Sequence, residues 1–113
     1  MRYMLLLHVE EAGWGRLTPA EQSAGMAAYG GFTEALAKAG ALVVSGRLAP
    51  SVQASAVRTK GGAPVVMDGP YAEAKEQVGG FYLIEANDRA AALQWAARCP
   101  AAGYGTVEVR EVI

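Results

Sequence analysis

Asp68, Glu73, Lys75 and Glu76 crowd into one stretch, MDGPYAEAKEQVGGFYLIE, whose two ends read as β-strand. A hairpin needs only about two to five connecting residues, so four ionisable groups here ask for a further reason. A carboxylate at a strand end beside a cleft serves as general acid or base when burial lifts its pKa toward neutrality. Asp68 occupies such a position. An Asp ahead of Gly-Pro also folds its side chain onto its own backbone in a turn, and the two roles can coexist. Lys75 can hold an anionic substrate or lower the pKa of a neighbouring carboxylate. Glu73, Lys75 and Glu76 equally suit an ion-pair network that orders a long loop or joins two copies, at about 0–1 kcal/mol per surface pair.

His8 is the only histidine, and it ends an apolar run on the face shared by Met4 and Leu6. Imidazole titrates near neutral pH, so His8 can couple with Asp68 as an acid–base pair. The alternative is a half-buried strand-end histidine bonded to backbone. One His and one Cys supply no ligand spacing, so a metal site is not expected. Cys99 sits on a helical stripe before Pro100 with no second histidine to activate it, which argues against a nucleophile. Trp14, in a glycine-flanked loop, can cap a pocket or cover the core. Arg110 suits a carboxylate ligand or a cross-strand ion pair. Gly79-Gly80 reads as a close backbone approach, in the service of packing.

The elements that must position these groups follow from periodicity. Residues 3–9 are a buried strand, and EAGWGRL after them reads as loop. Thr18-Pro19-Ala20-Glu21 opens a helix as a capping box with Pro at the first position. Met26, Tyr29, Phe32 and Leu36 form its stripe, Gly40 ends it, and Gly30-Gly31 weakens it, by roughly 1 kcal/mol each, for the sake of a close neighbour. ALVVSGRL is a second strand, and residues 53–59 and 63–67 form a hairpin around Lys60-Gly61-Gly62. Residues 80–85 form a strand, and Asn87 or Asp88 caps a second helix with the stripe Ala92, Leu93, Ala96 and Cys99 and Trp95 at its edge. Residues 106–112 close the chain as a strand.

The order β-α-β, hairpin, β-α-β predicts an α+β, ferredoxin-like split βαβ fold: an antiparallel sheet with two helices on one face and a hairpin insertion. In the first strand both alternating faces, Tyr3/Leu5/Leu7 and Met4/Leu6/His8, are mostly apolar. A sheet apolar on both faces needs a second cover, and the simplest is another copy, so a homodimer is expected.

Composition bounds the function. At 113 residues, 52% hydrophobic and 19% charged, residues 1–113 read as a single globular domain rather than a disordered chain. A net charge of −1 with no basic stripe speaks against direct nucleic-acid binding. The single cysteine excludes an intrachain disulfide and fits a reducing cytoplasm. MRYMLLLHVEE has too short an apolar core for a signal peptide, and no segment approaches the roughly 20 apolar residues of a membrane span.

The stretch Asp68-Gly69-Pro70-Tyr71, with Glu73, Lys75, Glu76, Val78, Gly79, Gly80 and Phe81 after it, resembles the signature of the YCII-related superfamily in its DGPF branch. MRYMLLLH, AAYGGFTEALAKAGAL and ALQWAARCPAAGYGTVEVREV extend the resemblance over nearly the whole chain. The resemblance implies a dimeric ferredoxin-like α/β barrel, no known cofactor, and genes often lying near extracytoplasmic-function sigma factors. Lyase-type chemistry, such as hydrogen halide elimination from aromatics, is associated with parts of that superfamily. Position 8 departs from the pattern, since a Tyr or other residue often stands where this chain has His8. The sequence therefore leads to a small acid–base enzyme or a binder of a small anionic or phenolic molecule. Asp68 and His8 are its expected catalytic residues, and Tyr71, Glu73, Lys75 and Glu76 its ligand-binding ones. The rival expectation is a non-enzymatic dimeric accessory or regulatory protein of a sigma-factor pathway.

Overall fold

Alternation in the first strand sets the architecture. In β1 (Arg2–Val9), Tyr3, Leu5 and Leu7 are buried, whereas Met4, Leu6 and His8 are only half-buried. The structure is a computed structural model describing residues 1–113. In chain order there follow α1 (Glu11–Gly15), α2 (Pro19–Lys38), β2 (Leu42–Arg47), β3 (Ser55–Lys60), β4 (Ala63–Asp68), β5 (Gln77–Glu85), α3 (Arg89–Arg98) and β6 (Thr106–Val112). Four strands form one sheet in the order β2-β5-β1-β6, and every adjacent pair is antiparallel. This is the ferredoxin-like α+β order, with the β3–β4 hairpin standing apart as its own two-stranded sheet. No helix is long and apolar enough to cross a membrane.

One face of the sheet carries the core. Tyr3, Leu5 and Leu7 meet Tyr82 and Ile84 of β5, Phe32 and Leu36 of α2, and Ala92 and Ala96 of α3. Phe32 sets its edge against Tyr82 at 5.0 Å between ring centres and against Trp95 at 6.3 Å. Register places Met4, Leu6, Phe81 and Leu83 on the opposite face, which no helix covers.

The capping box forms as the sequence dictates. The Thr18 side chain accepts from the Glu21 backbone N–H at 3.2 Å, and the Glu21 carboxylate accepts from the Thr18 N–H at 2.9 Å. These bonds hold the Glu21 carboxyl below its usual range. Asp88, not Asn87, caps α3, accepting from the Ala91 N–H at 2.8 Å.

Four expectations are revised. EAGWGRL is not all loop: Glu11–Gly15 is a short helix, pinned where the Glu11 carboxylate accepts from the Ser51 N–H and hydroxyl, each at 2.8 Å. Those contacts come from distant residues, so local pattern could not reveal them. Gly30 and Gly31 have no close neighbour, since a Cβ at either meets nothing within 4 Å. Leu93 is 42% exposed rather than part of the α3 stripe, because small Ala92 and Ala96 let the helix sit close on the sheet and turn Leu93 outward. The residue before a proline is expected to be extended, but Gly69, ahead of Pro70, has a φ of 97°, a left-handed conformation that a side chain would strain.

Candidate functional site

The charged loop is open to solvent. Asp68 ends β4 opposite Ser55, whose hydroxyl donates to it at 3.3 Å, and both side chains are exposed. Gly69 donates its N–H to the Ala54 carbonyl at 2.7 Å and so closes the DGP turn onto the hairpin. Tyr71 is 79% exposed. Glu73 and Lys75 are exposed and take part in none of the chain's ion pairs. Glu76 turns back to the sheet and accepts from the Thr106 hydroxyl at 3.1 Å.

His8 lies elsewhere. Its Nε2 is 2.9 Å from Oε1 of Glu108, its diagonal neighbour on β6, on the helix-free face. No hydrogen bond or ion pair within the chain joins His8 to Asp68 or Lys75. Thus, of the expected catalytic and ligand-binding residues, only His8 and Glu76 reach the four-stranded sheet: His8 meets Glu108, and Glu76 bonds Thr106, the β6 residue paired with His8.

The principal concavity is on the helix side. A cavity of about 930 Å³ opens where the end of β1, the start of β5 and the end of β2 run beneath the N-terminal half of α2. Leu7 and Val9 come from β1, Ser45 and Arg47 from β2, Tyr82 from β5, and Met26 and Tyr29 from α2. Trp14 of α1 closes one side, so it caps a pocket rather than covering the core. The Gly79-Gly80 pair forms part of the floor. A Cβ at Gly79 would lie 2.8 Å from Val9 Cγ2, and one at Gly80 would lie 3.0 Å from the Gly46 carbonyl oxygen. The double glycine therefore serves packing within the chain, with the cavity left open above it.

The cavity exists because α2 is long and its stripe splits. Phe32 and Leu36, in its second half, are buried on the sheet. Met26, in its first half, is 53% exposed and overhangs the cavity instead. A helix of this length outruns the sheet it covers, and the overhang becomes a roof.

Phenol hydroxyls gather on one wall. Tyr82 Oη lies 2.8 Å from Thr33 Oγ1, and the Thr33 hydroxyl also lies 2.8 Å from the Tyr29 carbonyl oxygen. Tyr29 and Tyr104 pair hydroxyl to hydroxyl. Burial raises Tyr82 above the usual phenol range, and burial with the Tyr104 hydrogen bond raises Tyr29 further. Both stay protonated at neutral pH; the Thr33 proton goes to the Tyr29 carbonyl, so Tyr82 donates its own to Thr33 Oγ1, and the Tyr29–Tyr104 pair keeps one phenol O–H for the cavity. Arg47 lies at the rim with its guanidinium carbon 5.4 Å from the centre of the Trp14 ring.

Tyr29, Tyr82, Tyr104, Arg47 and Glu11 were not singled out as site residues from the sequence. Tyr82 reads as one more residue of an alternating strand, and it is buried on the helix side. The three tyrosines lie far apart in the chain and share no motif; only Trp14 between its glycines signalled a pocket.

Comparison with known proteins agrees with this architecture. Residues 1–113 match the pattern of the YCII-related domain. A protein of Rhizobium meliloti (strain 1021), named only as uncharacterized, is 34% identical over 96 residues, which cover 85% of this chain and 77% of that protein. The match over the full length of a ferredoxin-like chain places it plainly: the chain belongs to the YCII-related family.

Proposed function

We propose that this chain, of the DGPF branch of its family, binds a small phenolic or similarly aromatic molecule in the cavity beneath α2. The carrying observation is the cavity itself. Its volume of about 930 Å³ is in the range of ligand sites and far beyond a packing defect. The walls suit such a ligand: Leu7, Val9, Met26 and Trp14 offer apolar surface, and neutral Tyr29 and Tyr82 offer hydroxyls. Acid–base chemistry of lyase type is the activity to seek on that ligand. The Tyr29–Tyr104 pair supplies a phenol O–H to that space, and Glu11, held through both oxygens by Ser51, supplies a fixed carboxylate at its edge. The test is a titration with 2-naphthol, followed by Trp14 fluorescence in a Trp95→Phe background. Saturable quenching supports the reading. Ser45→Phe, which fills the cavity from its β2 wall, abolishes quenching while circular dichroism stays unchanged. Quenching that survives Ser45→Phe defeats the proposal.

A second reading is favoured by the uncovered sheet face, where Met4, Leu6, Phe81 and Leu83 lie beside the His8–Glu108 pair. Two copies packing these faces make the dimeric α/β barrel and bring His8 and Glu108 into the seam, with Asp68 and Lys75 of each copy free to act there. On the accessory reading, the same dimer offers Tyr71, Glu73 and Lys75 as a partner surface. Sedimentation at low micromolar concentration tests the dimer. Phe81→Asp converts it to monomer, and a wild-type chain that sediments as a monomer sinks this second reading.

A further inference from the structure

Arg47 carries a charge that the fold leaves without an opposite one. In β2, Ser45 pairs with Tyr82 and Arg47 with Gly80, so alternation sends Arg47 to the helix side, where it lines the cavity. Its guanidinium stands over the Trp14 ring, with Nη1 4.0 Å from Met26 Sδ. None of the chain's ion pairs includes it. The two carboxylates that also line the cavity are engaged elsewhere. Glu10 pairs with Arg16 at 3.2 Å, and both oxygens of Glu11 accept from Ser51 at 2.8 Å. A positive group is therefore the one charge left unanswered around the cavity.

Guanidinium has a planar fork of N–H donors that matches a carboxylate in a bidentate pair. A guanidinium held over an aromatic face still has its N–H edge available to such a partner. From this geometry, and resting on the binding reading above, we infer that the ligand is a flat apolar carboxylate, a monoanion of the aromatic-acid class, with Arg47 as its anchor. The ring lies in the cavity beside Trp14, Leu7 and Val9, and the carboxylate meets Arg47 at the rim.

Calorimetric titration of the whole chain with three probes of one shape tests the inference: 2-naphthoate, 2-naphthamide and 2-naphthylmethylammonium. Naphthoate binds at least about tenfold more tightly than the neutral amide, as expected of a hydrogen-bonded charge. Arg47→Gln brings the two to within about twofold of each other, and Arg47→Lys keeps part of the preference because it keeps the charge without the fork. Three results overturn the inference while leaving the cavity reading intact: the amide binding as well as naphthoate, the preference surviving Arg47→Gln, or the ammonium binding best, which would give the anchor to Glu11. If none of the three binds, the cavity reading falls as well.

Discussion

Replacing Gly30 and Gly31 together by alanine stabilises the protein, whereas the same change at Gly79 or Gly80 destabilises it. Both pairs are Gly-Gly, so composition cannot separate them; their surroundings do. Gly30 and Gly31 lie inside α2, and a Cβ at either position meets nothing within 4 Å. Each alanine there recovers about 0.5–1 kcal/mol of backbone entropy and helix propensity. The pair together gives about 1–2 kcal/mol, which for a domain of 113 residues raises Tm by about 4–8 °C. At Gly79 the new Cβ falls 2.8 Å from Val9 Cγ2, and at Gly80 it falls 3.0 Å from a backbone oxygen that cannot rotate away. Overpacking of this kind costs about 1–3 kcal/mol. Urea denaturation and thermal scans of the double mutant and of each β5 mutant measure the difference. A fall in stability on Gly30→Ala/Gly31→Ala refutes the reasoning, because it means that something presses against the outer face of α2, as the sequence had suggested.

Tyr82→Phe removes the hydroxyl that bonds Thr33 and costs about 0.5–1.5 kcal/mol at neutral pH, measured by denaturant unfolding. The native protein also loses stability as pH rises above about 10. Burial raises Tyr29 and Tyr82 in the folded state, so the unfolded chain sheds those protons first and binds fewer of them, which favours unfolding. Absorbance of tyrosinate against pH, with unfolding followed by circular dichroism, checks that sign, and Tyr82→Phe flattens the decline. Gly69→Ala places a side chain at a φ of 97° and lowers stability by about 1–2 kcal/mol. Proteolysis within the loop after β4 speeds up in that mutant.

Local rules made the elements legible. Thr18-Pro19 and Glu21 specify the start of α2 through side chains within one turn, and Gly61-Gly62, at φ of 60° and 81°, specify the hairpin turn. Apolar and β-branched runs mark residues 3–9 and 80–85 as strands, and the β-α-β order with the right-handed crossover rule then gives the ferredoxin-like sheet. The start of β5 was misplaced, because Gln77 and Val78 belong to it through pairing with Val9 and His8, partners remote in sequence. The charged motif drew attention to Asp68 and Lys75 because ionisable residues are conspicuous in a short turn. The cavity went unseen for the opposite reason. Tyr29 reads as an ordinary stripe residue of α2, Tyr82 as a strand residue and Tyr104 as a loop residue until α2 overhangs the sheet.

The sequence by itself determined the α+β order, the capped helices, the hairpin and the membership in a YCII-related family. These depend on neighbours within a few residues or on a contiguous motif. Tertiary structure alone decided that His8 meets Glu108, that Glu11 is tied to Ser51, and that Tyr29, Tyr82, Tyr104 and Arg47 surround one space. A cavity is the volume that several remote elements fail to fill, and no local pattern encodes an absence shared among them.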